Sequence, residues 1–218
     1  MKLPFYNRKR YLVLKFYTWH QGVFEKAKPM TNFSKTEKHK GTVYERNFHT
    51  CMSRIMTKKN SVTMPCPVDF MFRCDGEVVH FEAPDSEVLG CDFVHNDDPA
   101  YASTKDFIIA KMVMPWHIEE ESGINFVVAR HIMNRSMMNV LSGVISFDAT
   151  ASSSFFNVIN KTPHEYRVKF GEPLVSYYPM SDKPVYVECY CDAEKHRKLR
   201  EVHYPTHFRA DGLKQLKI

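Results

Sequence analysis

Short apolar runs separated by turn-forming clusters recur along the whole chain, and they read as strands. YLVLKFYT, residues 11–18, is an opening strand, and a polar stretch from Gly22 to Asn47 follows as loop and turns. RNFHTCMSRIMTKKN predicts a short helix with Phe48, Cys51, Met52 and Ile55 on one face. In SVTMPCPVDFMFRCDGEVVHFEA, Pro65 and Pro67 bracket Cys66 and exclude a regular helix. VDFMFR and EVVHFEA flank Cys74-Asp75-Gly76 and predict a hairpin, since Asp-Gly tolerates the positive φ of a tight turn. Residues 84–104 are acidic and turn-rich, FIIAKMVMP is a strand ended by Pro115, and WHIEEESG is a short extended piece and a turn. INFVVARHI is a strand and MNRSMMN a Met-rich polar loop. GVISFD, SFFNVIN, EYRVKF, GEPLVSYYPM and KPVYVECYC follow as further strands. A helix is predicted from Asp192 as N-cap, with Lys195 to Glu201 in its body.

Roughly eight to ten short strands and one or two short helices predict a mainly β fold, a single antiparallel β-sandwich or jelly roll. Three segments are expected: a basic N-terminal strand and extended arm over 1–47, a β-rich core over 48–191, and a short helix with a basic tail over 192–218. Nothing alternates β and α at Rossmann spacing, and no glycine-rich phosphate loop is present.

Composition adds little to this picture until charge is considered. At 218 residues, 44% hydrophobic and 25% charged, the chain is long enough for a sizeable core. The net charge of +5 is concentrated in KLPFYNRKRYLVLKFY, KAKPMTNFSKTEKHK and EKHRKLR. Such runs form solvated surface or make weak contacts with phosphate backbones, and no nucleic-acid-binding motif accompanies them. LVLKFYTW is too short and interrupted for a signal peptide, and no apolar run reaches transmembrane length, so no membrane partner is expected. The six cysteines fit core or ligand positions in a reducing compartment.

From Met112 onward the chain resembles a family of tailed-bacteriophage proteins to which no activity is attached. The resemblance rests on MPWHIEEESGINFVV, the MNR at Met133 to Arg135, LSGVISFD, GEPLVSYYPM and the earlier MPCPVDFMFR. It implies a viral protein located in the host cytoplasm or the virion. GVISFD and GEPLVS also resemble the paired hairpin segments of trimeric dUTPases and dCTP deaminases, which implies a β-clip-like fold. In those enzymes a carboxylate follows Gly-Val-Ile and helps activate the attacking water. Here Ser146 stands at that position, and a hydroxyl lacks a carboxylate's basicity near neutral pH. Asp148, two residues on, would share its face in a strand, and Arg135-Ser136 would be the phosphate-contacting segment. Val175-Ser176 departs from the partner segment's Ala-Gln.

Ser146, Asp148 and Arg135 are therefore the candidate catalytic set. Cys189, Cys191, His196 and His203, spaced C-x-C-x4-H-x6-H, are a candidate zinc set, though not with a standard finger spacing. His95 and Asp97 form an H-x-D triplet of the kind found in iron oxygenases, with His131 or His164 to complete a triad and Arg167 to hold an oxoacid. The competing reading is a loop whose Asp side chains bond nearby backbone. Ser152 to Ser154 do not form a nucleophile elbow and read as turn residues. Glu119 to Glu121 read as solvated. Trp116, Phe155, Phe156, Tyr177 and Tyr178 pack a core or a subunit contact, or stack on bases. The expectation for function is a non-enzymatic, phage-encoded β-rich protein that forms a homo-oligomer or assembles with other viral proteins. The alternative is a small-molecule enzyme, nucleotide-processing or metal-dependent.

Overall fold

The computed structural model describes residues 10–31, 61–76, 79–85, 88–93, 107–131, 138–148, 151–160 and 162–207. Along them run β1 (Leu12–Thr18), α1 (Gln21–Lys26), β2 (Met30–Thr31), β3 (Val62–Pro65), β4 (Phe70–Cys74), β5 (Val79–Glu82) and β6 (Gly90–Phe93). Next come β7 (Phe107–Val113), β8 (His117–Glu120), β9 (Asn125–Arg130), β10 (Asn139–Val140), β11 (Gly143–Ser146) and β12 (Phe155–Asn160). β13 (His164–Val168), β14 (Pro173–Pro179), β15 (Val185–Cys191) and α2 (Ala193–His207) complete the order.

These strands form four separate sheets. Sheet 1 has the order β15-β1-β8, sheet 2 β10-β12-β7-β6, sheet 3 β11-β9-β14-β3-β2, and sheet 4 β13-β4-β5. The expected single antiparallel sandwich, jelly roll or β-clip is thus overturned. β1 and β15 also run parallel, joining distant parts of the chain edge to edge. The physical reason is that alternation identifies a strand and its faces but not its partner. β11, β12, β13 and β14 follow one another in sequence, yet they enter sheets 3, 2, 4 and 3. GVISFD and GEPLVS do not pair with each other, because β9 lies between β11 and β14.

Local predictions fare better. β4 and β5 pair antiparallel across the Asp75-Gly76 turn, with Gly76 at φ 102°, a conformation open to glycine at little cost. α2 begins where the sequence places it, and the Asp192 carboxylate accepts the Lys195 N–H at 2.9 Å. The opening strand of the N-terminal segment is integral to sheet 1, and Leu14 and Phe16 are fully buried. The stretch from Gly22, expected as loop, holds part of α1, which is capped unusually by His20, whose Nδ1 accepts the Val23 N–H at 3.2 Å. β6 lies in the turn-rich acidic region and was not expected. The helix expected over RNFHTCMSRIMTKKN falls outside the described residues. No helix among the described residues is long and apolar enough to cross a membrane.

One apolar cluster draws side chains from all four sheets. Phe16 meets Trp116 edge-on at 6.2 Å, Phe147 bridges Phe126 and Tyr177 at 4.9 and 5.3 Å, and Phe72 contacts Phe70, Phe81 and Tyr166. Each fully buried aromatic of this size contributes about 1.5–3 kcal/mol over its exposed state. Polar contacts tie sheets together where the ladders stop. Asn157 of β12 donates to the Tyr166 hydroxyl of β13 at 2.8 Å. The segment before β12 links sheets 1 and 3: Ser153 Oγ donates to the Trp116 carbonyl at 2.5 Å, Tyr177 OH donates to the Ser153 carbonyl at 2.6 Å, and Ile118 N–H donates to the Ala151 carbonyl at 2.6 Å.

Candidate functional site beneath the C-terminal helix

β1 alternates between two environments. Leu14 and Phe16 face the core. Lys15 and Tyr17 stand opposite Glu119 and His117 of β8, and opposite Glu188 and Tyr190 of β15, so these six share the outer face of sheet 1. α2 starts at the end of that face, where the Asp192 N–H donates to the Thr18 carbonyl at 2.9 Å.

Glu119 is the hub. Its Oε2 accepts Lys15 Nζ at 3.2 Å and Tyr17 OH at 3.1 Å, and its Oε1 accepts Lys195 Nζ from α2 at 2.6 Å. Partial burial by itself would raise the Glu119 carboxyl, but hydrogen bonds from Lys195 and Lys15 outweigh it and hold it below its usual range. Burial, reinforced by the Glu119 charge, pushes the Tyr17 phenol well above its usual value. Tyr17 stacks on Tyr190 at 5.2 Å, and Tyr190 OH donates to Glu188 Oε2 at 2.7 Å. Glu188 Oε1 is buried with no hydrogen-bond partner among the described residues. Beside this hub, His117 Nδ1 and His196 Nε2 lie 2.7 Å apart with the rings nearly perpendicular, and Trp19 packs on the His196 ring at 4.5 Å.

The glutamate triplet therefore differs from its expected solvated state. Glu119 anchors the hub, and Glu121 pairs with Lys15. Glu120 is buried and closes the β8–β9 turn by accepting the Ser122 N–H at 2.7 Å, the Ser122 hydroxyl and the Ile124 N–H at 3.3 Å. The signal for the hub was present as Lys15 and Tyr17 at two-residue spacing, but its acidic partner lies over a hundred positions away. No local pattern connects the two.

Two of the three predicted catalytic residues are brought together. Ser146 ends β11, and its hydroxyl donates to the Asp148 carboxylate. Asp148 lies in the turn just beyond the strand, within reach of Ser146, while Phe147 between them is buried against Phe126 and Tyr177. Both groups are bound to each other at an exposed turn, and Arg135 lies outside the described residues. Among the described residues the predicted zinc ligands are not brought together. Cys189 and Cys191 pair in register with Phe16 and Thr18, on the face opposite the one that carries Tyr17 and His117. His196 meets His117 on the outer face. His203 lies in α2 with its side chain outside the described set. Burial pushes the Cys189 thiol up to about 12. Among the described residues no three His, Cys, Asp or Glu side chains are placed to hold an ion.

His95 and Asp97 also lie outside the described residues. Of their expected companions, His131 is buried beyond β9. His164 stacks on Tyr166 at 5.6 Å, and Arg167 is exposed and pairs with Glu165 at 3.0 Å. Ser153 is a buried structural contact rather than a nucleophile. Trp116, Phe155 and Tyr177 are core residues, while Phe156 and Tyr178 are half-buried. The basic run of α2 is matched by acids: Lys195 binds Glu119, Arg197 binds Glu201 and Lys198 binds Glu194, each at 2.6 Å.

A second region stands out by its exposure. β11 is an edge of sheet 3 and pairs only with β9 among the described residues. Val144, Val127 and Tyr178 are aligned across β11, β9 and β14, and Met180, just past β14, donates its N–H to the Asn125 carbonyl at 2.9 Å. Val144 is 65% and Met180 63% exposed, Leu141 is exposed just before the strand, and a Cβ at Gly143 would meet nothing within 4 Å. Comparison with known proteins adds no relative: no family model, no curated protein and no solved structure matches this chain, and the phage and dUTPase resemblances gain no support from that side.

Proposed function

We propose that this protein is a non-enzymatic β-rich module that works by associating with protein chains, with further copies of itself first among them. The observation that carries the reading is the β11 edge, which pairs only with β9 among the described residues, with the apolar row Val144, Val127 and Tyr178 and the exposed Met180 beside it. An edge strand presents unpaired N–H and C=O groups, and proteins guard such edges with charge, proline or cover unless they are used. β11 carries no charged residue and no proline. Adding a strand there would satisfy the edge and remove exposed apolar surface from water together. A tailed-phage setting enters this reading only through the resemblance of the chain from Met112 onward, and other virion or infection-stage proteins are then the natural further partners.

Sedimentation of the full chain over a concentration series tests the proposal. A reversible oligomer is expected, with Val144→Pro or Met180→Asp weakening it at least tenfold while the circular dichroism spectrum stays unchanged. A monomer at every concentration, or an oligomer indifferent to both substitutions, would sink the reading.

A further inference from the structure

The described side chains of α2 run from Ala193 to Glu201, and Leu199 is the one apolar residue among them that is not exposed. From Ala193 to Glu201, only Lys195, His196 and Leu199 are not fully exposed. Two of these three dock through polar groups, Lys195 on Glu119 and His196 on His117. Its solvent side carries the pairs Glu194–Lys198 and Arg197–Glu201 at helical i,i+4 spacing, which support the helix whether or not it is docked.

We propose that α2 is an acid-released clasp: protonation of the His117–His196 pair frees the start of the helix from β8 and uncovers the outer face of sheet 1. The geometry carries this. At 2.7 Å the two ring nitrogens share one hydrogen, so one of them must present a lone pair. When both rings are charged, both facing atoms carry N–H, and the contact turns repulsive. The contact between the two rings is a hydrogen bond, and no group of three or more His, Cys, Asp or Glu side chains is placed to hold an ion among the described residues.

Charges of both signs border His196. On its own helix Arg200 lies one turn on, and Lys195 and Asp192 precede it. From β8 come His117 and Glu119, from β1 Tyr17 and Lys15, and from β15 Tyr190. Trp19 covers one side of the ring. Burial, with the Arg200 charge adding to it, holds the imidazole at about 4 against an ordinary 6.5. The neutral ring is thus favoured when docked, and the released helix takes up the proton first. Docking is complete above about 6.5, weakens as pH falls from 6.5 to 4, and loses nothing more from this group below that. The gap between those two values corresponds to a change of roughly two orders of magnitude in the docked-to-released ratio. Glu119, held below its usual range by its lysines, adds its own loss only at the acid end, as pH falls through its lowered value.

The test uses the full chain between pH 8 and pH 4. Trp19 fluorescence, corrected with a Trp19→Phe protein for the Trp116 signal, reports the clasp. Histidine ring NMR signals report the protonation. Amide protection in β14 reports the core. The expected result is a Trp19 transition between pH 6.5 and 4 with β14 protection retained, and a His196 ring that titrates well below 6.5. A His117→Gln/His196→Gln protein, which keeps hydrogen-bonding groups but cannot titrate, is expected to show a transition at least tenfold smaller. The proposal is overturned if that variant releases with the same midpoint, if β14 protection is lost together with the Trp19 change, or if His196 titrates at its ordinary value. The wild-type ring titration decides the matter even where the double variant fails to fold.

Discussion

Phe16 and Tyr17 are neighbours in sequence, yet they belong to opposite faces of the same sheet. Phe16 is fully buried, edge-on to Trp116, in a face that excludes water and makes no demand on direction. Tyr17 stacks on Tyr190 and gives its hydroxyl to Glu119, in a face held by a carboxylate, two lysines and a histidine pair. The first face is tolerant of salt and pH and intolerant of lost volume. The second reverses both properties, since charged hydrogen bonds weaken with protonation and screening. The contrast explains why the molecule's stability and its conformational switching can reside on two sides of one strand.

Substitutions can break that contrast, and the largest effect belongs to the core face. Phe16→Ala is expected to cost about 3–5 kcal/mol, because the cavity against Trp116 adds to the lost transfer energy. Urea unfolding with an unchanged slope would check it. Asp192→Ala removes the cap that holds the Lys195 N–H, at a cost of about 1 kcal/mol, and should show as faster amide exchange in the first turn of α2. Tyr17→Phe keeps the stack on Tyr190 and loses only the bond to Glu119, for about 0.5–1.5 kcal/mol. The Tyr17→Phe loss should shrink at acid pH, where Glu119 is protonated. The Phe16→Ala loss should not, and a stability profile against pH separates the two. Ser146→Ala, in the exposed turn with Asp148, is expected to stay within about 0.5 kcal/mol. A markedly larger change in thermal midpoint would show that this turn does more than close β11.

How much was legible in advance varied with the range of the interaction. The β4–β5 hairpin was readable because Asp75-Gly76 and its flanking strands lie within a few positions of one another. The Asp192 cap was readable for the same reason. The outer-face hub was not, because Lys15, Glu119 and Lys195 come from three distant stretches, and Glu119 looked like one member of a solvated triplet. The zinc reading meets the same limit. Cys189 and Cys191 are close to His196 in sequence, but sheet alternation turns them to the opposite face.

The sequence by itself determined the local elements: most of the strands, the turns that need glycine, the start of α2 and the apolar character of the core positions. Those follow from backbone sterics, side-chain alternation and capping, which act over a few residues. Only the tertiary structure decided that the strands form four sheets, that β1 runs parallel to β15, and that one carboxylate gathers two lysines and a tyrosine beneath α2. Strand pairing and charge clustering are settled by which surfaces can be buried together, and that is a property of the whole chain rather than of any segment in it.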